Sequence, residues 1–95
     1  MNDTYFLEIV FLVADFQFDG RDEIEDPLEE FLTQSGLGEV TGGGSGMGKA
    51  NIDVEVNDLS EGLKAVQQFL RLLGVADSTV INQYQPVKVV HRVYD

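Results

Sequence analysis

Residues 4–14, TYFLEIVFLVA, are apolar at both parities of an extended chain. Tyr5, Leu7, Ile9, Phe11 and Val13 alternate on one side, while Phe6, Val10 and Leu12 make the other side largely apolar. Successive side chains of a strand point to opposite faces of its sheet, so a strand apolar on both belongs in the sheet interior. The run predicts a central strand, and it is too short to span a bilayer as a helix. Whatever else the chain does, it must build a sheet around this segment.

The rest of the sequence supplies the pieces. Asp15 to Asp26, DFQFDGRDEIED, is a polar connector. Asp26-Pro27-Leu28-Glu29 reads as an N-cap, a first-turn proline and a capping-box glutamate, with an earlier start near Asp22 as the alternative. Ile24, Leu28, Phe31 and Leu32 keep helical spacing up to Gly36, a residue suited to a left-handed C-terminal stop. Leu37 to Thr41 predicts a short strand, and Gly42 to Gly48 a mobile glycine-rich hairpin tip. Ala50, Ile52, Val54 and Val56 then alternate with Asn51, Asp53, Glu55 and Asn57 as a half-buried strand.

Asp58-Leu59-Ser60-Glu61 is a second capping box, followed by the stripe Leu59, Leu63, Val66, Leu70 and Leu73 and the stop Gly74. Thr79 to Gln83 predicts a fourth strand, and Val87, Val89 and Val93 suggest a C-terminal strand beyond Pro86. The expectation is therefore one α+β domain over residues 1–95 with a ferredoxin-like βαββαβ order. Right-handed crossovers then place both helices on one face of an antiparallel sheet, with an extra C-terminal strand as an option.

Composition narrows the chemistry. Seventeen acids face six bases, a net charge of −11, so the surface repels nucleic acid and anionic membranes and attracts basic partners. An acidic surface also serves solubility alone. The absence of cysteine removes disulfides, thiolate metal sites and a cysteine nucleophile. The start Met1-Asn2-Asp3 lacks the basic segment of a secretory signal, and the expected location is the cytoplasm.

Two motifs approach known chemistries without completing them. Gly43 to Lys49 satisfies G-x-x-x-x-G-K, but the magnesium-binding Ser/Thr is replaced by Ala50, and a strand follows where a phosphate-binding loop needs a helix. The loop is instead a secondary contact surface, with Met47 as an adaptable apolar contact. Asp15, Gln17, Asp19, Glu23 and Asp26 fall at calcium-loop spacing with Gly20 at the turn. Against calcium stand Asp22 at an apolar position, the short Asp26 at position twelve, and a strand where a helix should precede. No cofactor is expected.

His91 is the only histidine, and Ser45, Ser60 and Ser78 have no visible base, so no catalytic constellation is expected and the chain reads as a non-enzyme. The acidic cluster carries more. Eight acids fall within residues 15–30, Asp15, Asp19, Asp22, Glu23, Glu25, Asp26, Glu29 and Glu30, offset only by Arg21. Asp53 and Glu55 on the polar side of the third strand would join them if that strand lies nearby. Such a patch suits an inhibitor that occupies a groove built for phosphates. The expected contact residues are Asp19, Asp22, Glu23, Glu25, Asp26, Glu29, Glu30, Asp53, Glu55 and Met47.

The segments GEVTGGGS (38–45), NIDVEV (51–56) and GVADSTVI (74–81) resemble small bacterial proteins of ferredoxin-like shape. Some of those are similar to immunity proteins of contact-dependent or polymorphic toxin systems. The resemblance covers residues 36–83 and implies a basic protein partner, such as a nuclease toxin, and no catalytic residue. The competing expectations are a small-ligand or calcium module using the 15–26 connector, and a homodimerising structural domain.

Overall fold

The computed structural model describes residues 4–16, 18 and 20–94. It is an α+β structure with five strands, β1 (Tyr5–Leu12), β2 (Gly38–Gly46), β3 (Lys49–Val56), β4 (Val80–Gln83) and β5 (Val89–Arg92), and two helices, α1 (Asp22–Ser35) and α2 (Leu59–Leu73). A short 3-10 turn, Val13–Asp15, follows β1. The sheet runs β2-β3-β1-β4-β5, and every neighbouring pair is antiparallel. β1 thus lies third of five, as its two-sided apolar pattern requires. Val13 leaves the alternation, because β1 ends at Leu12 and Val13 is exposed in the turn.

One sheet face is covered. Leu7, Ile9 and Phe11 of β1, Ile52, Val54 and Val56 of β3 and Ile81 of β4 form one buried cluster with Ile24, Leu28 and Leu32 of α1 and Val66 and Leu70 of α2. Stacked rings of Phe31 and Phe69, 4.9 Å apart, join the two helices. No helix among the described residues is long and apolar enough to cross a membrane.

α2 follows its sequence signals. Asp58 caps it by accepting from the Glu61 N–H at 2.8 Å, and Gly74 ends it with φ of 78°. α1 departs from them. The capping box at Asp26-Pro27 does not form: the helix begins at Asp22 after Arg21, and Pro27 sits inside it. The early start brings Ile24, at 0% exposure, into the core one turn before Leu28, which is worth about 2 kcal/mol of apolar burial. That gain competes with an interior proline, which cannot offer an N–H to the carbonyl one turn back. Pro27→Ala is expected to raise stability by about 1 kcal/mol in urea unfolding, the helix gain being partly offset by added freedom in the unfolded chain.

The glycine segment is a second departure. β2 does not stop at Thr41 but continues through Gly46, and residues 42–46 pair with β3 from Asp53 back to Lys49. The reversal is the two-residue turn Met47-Gly48, with φ of 53° and 78°. Positive φ at both central positions suits the right-handed twist of a hairpin. One irregularity, between Val40 and Gly42, leaves Thr41 as an extra residue.

Of the C-terminal valines, Val89 joins the sheet together with Val90 in β5, antiparallel to β4, while Val87 and Val93 lie just outside that strand. α2 holds the exit of that strand: Gln67 Nε2 donates to the Arg92 carbonyl at 2.8 Å, and Arg71 Nε donates to the Val93 carbonyl. Val93 is fully buried, and Tyr94 donates its hydroxyl to the Val75 carbonyl at 2.6 Å.

Candidate functional site: the uncovered acidic sheet face

The helices occupy one side of the sheet, so the alternate residues of each strand form an uncovered face. Strand register places four carboxylates there side by side. Glu8 of β1 is directly opposite Asp53 of β3, and Glu55, two residues along β3 on the same face, is directly opposite Glu39 of β2. Like charges in directly opposed positions destabilise a sheet, each pair by a few tenths of a kcal/mol or more. The chain therefore folds with an electrostatic penalty concentrated on three adjacent strands.

Hydrogen bonds aim three of these groups. Glu8 Oε1 accepts from the Tyr84 hydroxyl at 2.6 Å and from Asn82 Nδ2 at 3.2 Å. Asp53 Oδ1 accepts from Asn51 Nδ2 at 2.8 Å, and Glu55 Oε1 from Thr4 Oγ1 at 2.9 Å. These donors are neutral, so they orient the carboxylates without cancelling their charge. Apolar side chains lie on the same face: Phe6 against the Tyr84 ring at 5.7 Å, Val10 opposite Val80, and the exposed Val90 of β5. The ammonium of Lys88 sits 5.7 Å from the centre of the Tyr84 ring, at the border of the acidic area.

The bond to Glu8 is the main cause that raises the Tyr84 phenol above its ordinary value, with desolvation and the Glu8 charge adding to it. A group with a raised folded pKa contributes stability below its unfolded value, ~10, and loses it as pH climbs through the folded one. The Tyr84 ring should therefore titrate late in tyrosinate absorbance, and Glu8→Gln should move it back toward the ordinary value. Unchanged titration in Glu8→Gln would assign the shift elsewhere.

The acids of α1 lie in the helical layer, on the far side of the sheet from Asp53 and Glu55. The expectation of one patch is corrected: strand parity, with Ile52, Val54 and Val56 turned into the core, points Asp53 and Glu55 away from α1. Several α1 acids also have structural work. Asp22, Glu23 and Glu25 lie in the first turn, where the helix dipole favours negative charge. Glu25 pairs with Arg21 at 3.1 Å, and this ion pair rests over Gly43 of β2. Glu29 accepts from the Val40 N–H at 2.6 Å and so covers one rung of the β2 edge. Asp26 and Glu30 are exposed and make no side-chain hydrogen bond among the described residues. Asp19 lies outside the described residues.

Met47 stands fully exposed at the hairpin tip. A backbone bond from the Val13 N–H to the Gly48 carbonyl, 2.9 Å, sets that tip beside the exposed Leu12 and Val13.

Of the calcium spacing, Gln17 and Asp19 lie outside the described residues, Asp15 accepts from Ser78 Oγ at 2.7 Å, and Glu23 and Asp26 belong to α1. Among the described residues no three His, Cys, Asp or Glu side chains gather in a way that could hold a metal ion. The glycine-lysine motif lies on a strand, a turn and a second strand, so Gly43 to Lys49 offers no helix N-terminus to a phosphate. His91 Nε2 is 2.8 Å from Gln83 Oε1 on the covered face, half-buried, and Ser78 is engaged by Asp15.

Sequence reasoning missed Glu8 and Glu39. Glu8 carried a signal, as the one acid inside the apolar β1 run, but its neighbours depend on register. No protein-family model, curated protein or solved structure matches the chain.

Proposed function

We propose that this chain is a non-enzymatic binding protein of the cytoplasm that neutralises a basic protein by direct contact, as an immunity or inhibitor protein does. The supporting observation is the row Glu8, Asp53, Glu55 and Glu39 on the uncovered sheet face, where opposed carboxylates weaken the free fold and are relieved by an arriving cation. Apolar Phe6, Val10 and Val90 beside the row supply the desolvated contact that charge alone lacks. Exposed Asp26 and Glu30 of α1 extend the negative field and speed encounter. The element order with both helices on one face fits a ferredoxin-like βαββαβ architecture extended by β5, in line with the bacterial proteins that residues 36–83 resemble.

A homodimer through the same face is the second reading, favoured by Val10, Val80 and Val90, and disfavoured by the carboxylates that would then meet their own copies. Light scattering separates the two. The proposal expects a monomer at micromolar concentration and one stoichiometric basic protein captured from host lysate at low salt and released as salt rises. A stable dimer that captures nothing would overturn it.

A further inference from the structure

Building on that reading, we infer that the outer edge of β2 receives an extended lysine- or arginine-rich segment of the partner as a sixth strand. β2 is an outermost strand. Beyond the extra residue at Thr41 it runs Gly42-Gly43-Gly44-Ser45-Gly46, with one side chain in five residues, and all of these but the half-buried Gly44 are exposed. Sheet edges in stable proteins are blunted by lysine, proline or a covering element, because unpaired backbone groups template another strand. Here Glu29 covers the rung at Val40, and the stretch after it carries neither lysine nor proline.

Charge selects the occupant. Side chains of an added strand alternate between the two faces of the sheet. On the uncovered face they meet Glu39 and, one strand further in, Asp53 and Glu55, with Lys49 opposite Gly46 bounding the acidic stretch at the hairpin end. On the covered face the Arg21–Glu25 ion pair already lies over Gly43 and Glu29 is bonded to the Val40 N–H, so that side offers little free charge. A segment with lysine or arginine at alternate residues therefore sets its cations against the carboxylates of the uncovered face. The opposite edge offers no such match: β5 is four residues long, includes Arg92, and is held at its exit by Gln67 and Arg71.

The test uses the whole chain and a capped peptide of about eight alternating lysine and threonine residues, followed by amide exchange in NMR. The inference expects outward amides between residues 41 and 46 to gain at least about tenfold protection as the peptide saturates. The same peptide N-methylated at alternate residues keeps its charge but cannot pair, and should bind at least about tenfold more weakly. Equal binding of both peptides with unchanged exchange at 41–46 would overturn the edge assignment while leaving the acidic face as a basic docking surface. Protection that grows with protein concentration and no peptide would give the edge to a second copy and overturn it too. Absence of binding by either peptide also counts against it, whereas the broader reading stands or falls on the captured protein.

Discussion

Gly62→Ala should destabilise the chain by about 2 kcal/mol, even though alanine is the better helix former by about 1 kcal/mol. Gly62 is buried within α2, and a Cβ there would lie 2.6 Å from the Cβ of Val56 and 2.8 Å from both of its methyl carbons. Val56 cannot yield. It is fully buried, β-branched, and set in a strand paired on both sides. The helix must instead lift from β3, loosening Val66 and Leu70 in the shared core. Urea unfolding measures the loss, and Val56→Ala supplies the control. That substitution removes the two methyl contacts at 2.8 Å but keeps the Cβ at 2.6 Å, so Gly62→Ala should cost less there while remaining unfavourable, a coupling that a double-mutant cycle reads directly. Equal cost in both backgrounds would mean that the close approach of α2 to β3 is not what glycine provides.

The second large effect runs the other way. Asp53→Lys should stabilise the free chain by about 1 kcal/mol at low salt, because it places a cation between Glu8, directly opposite, and Glu55, two residues along the same face. The lost hydrogen bond from Asn51 offsets part of this. Raising salt should shrink the gain, since these groups are partly exposed and screened. A surface whose stability improves when its charge is reversed is not arranged for folding alone. Solubility accounts for acids in number, but not for acids set against one another in register.

Much of the scaffold was legible because its signals were redundant. The two-sided apolar run of β1 admitted only a central position, and α2 carried its cap, stripe and stop together in Asp58, Val66, Leu70 and Gly74. The errors arose where a local signal met a stronger tertiary term. Pro27 looked like a helix start until burial of Ile24 extended α1 backward. Gly42 to Gly46 looked like loop because glycine weakens strands, yet pairing with β3 and a turn at Met47-Gly48 hold it extended. Gly62 was passed over in the sequence, although a lone glycine in a strongly periodic helix marks close packing.

The candidate site was harder to read than the fold. Eight acids close in sequence drew attention to residues 15–30, but parity sends Asp53 and Glu55 to the other side of the sheet, and Glu25 and Glu29 bond within the fold. The row that replaces that cluster depends on which residues face one another across β1, β3 and β2. Neither composition nor spacing contains that register.

The most direct measurement of the central claim is the association rate of the captured basic protein with the wild-type chain and with Asp53→Lys, at low and at high salt. The account predicts association slowed at least about tenfold by the substitution at low salt, with the two rates converging as salt rises. An association rate unchanged by Asp53→Lys at low salt would contradict the assignment of the uncovered sheet face as the binding surface.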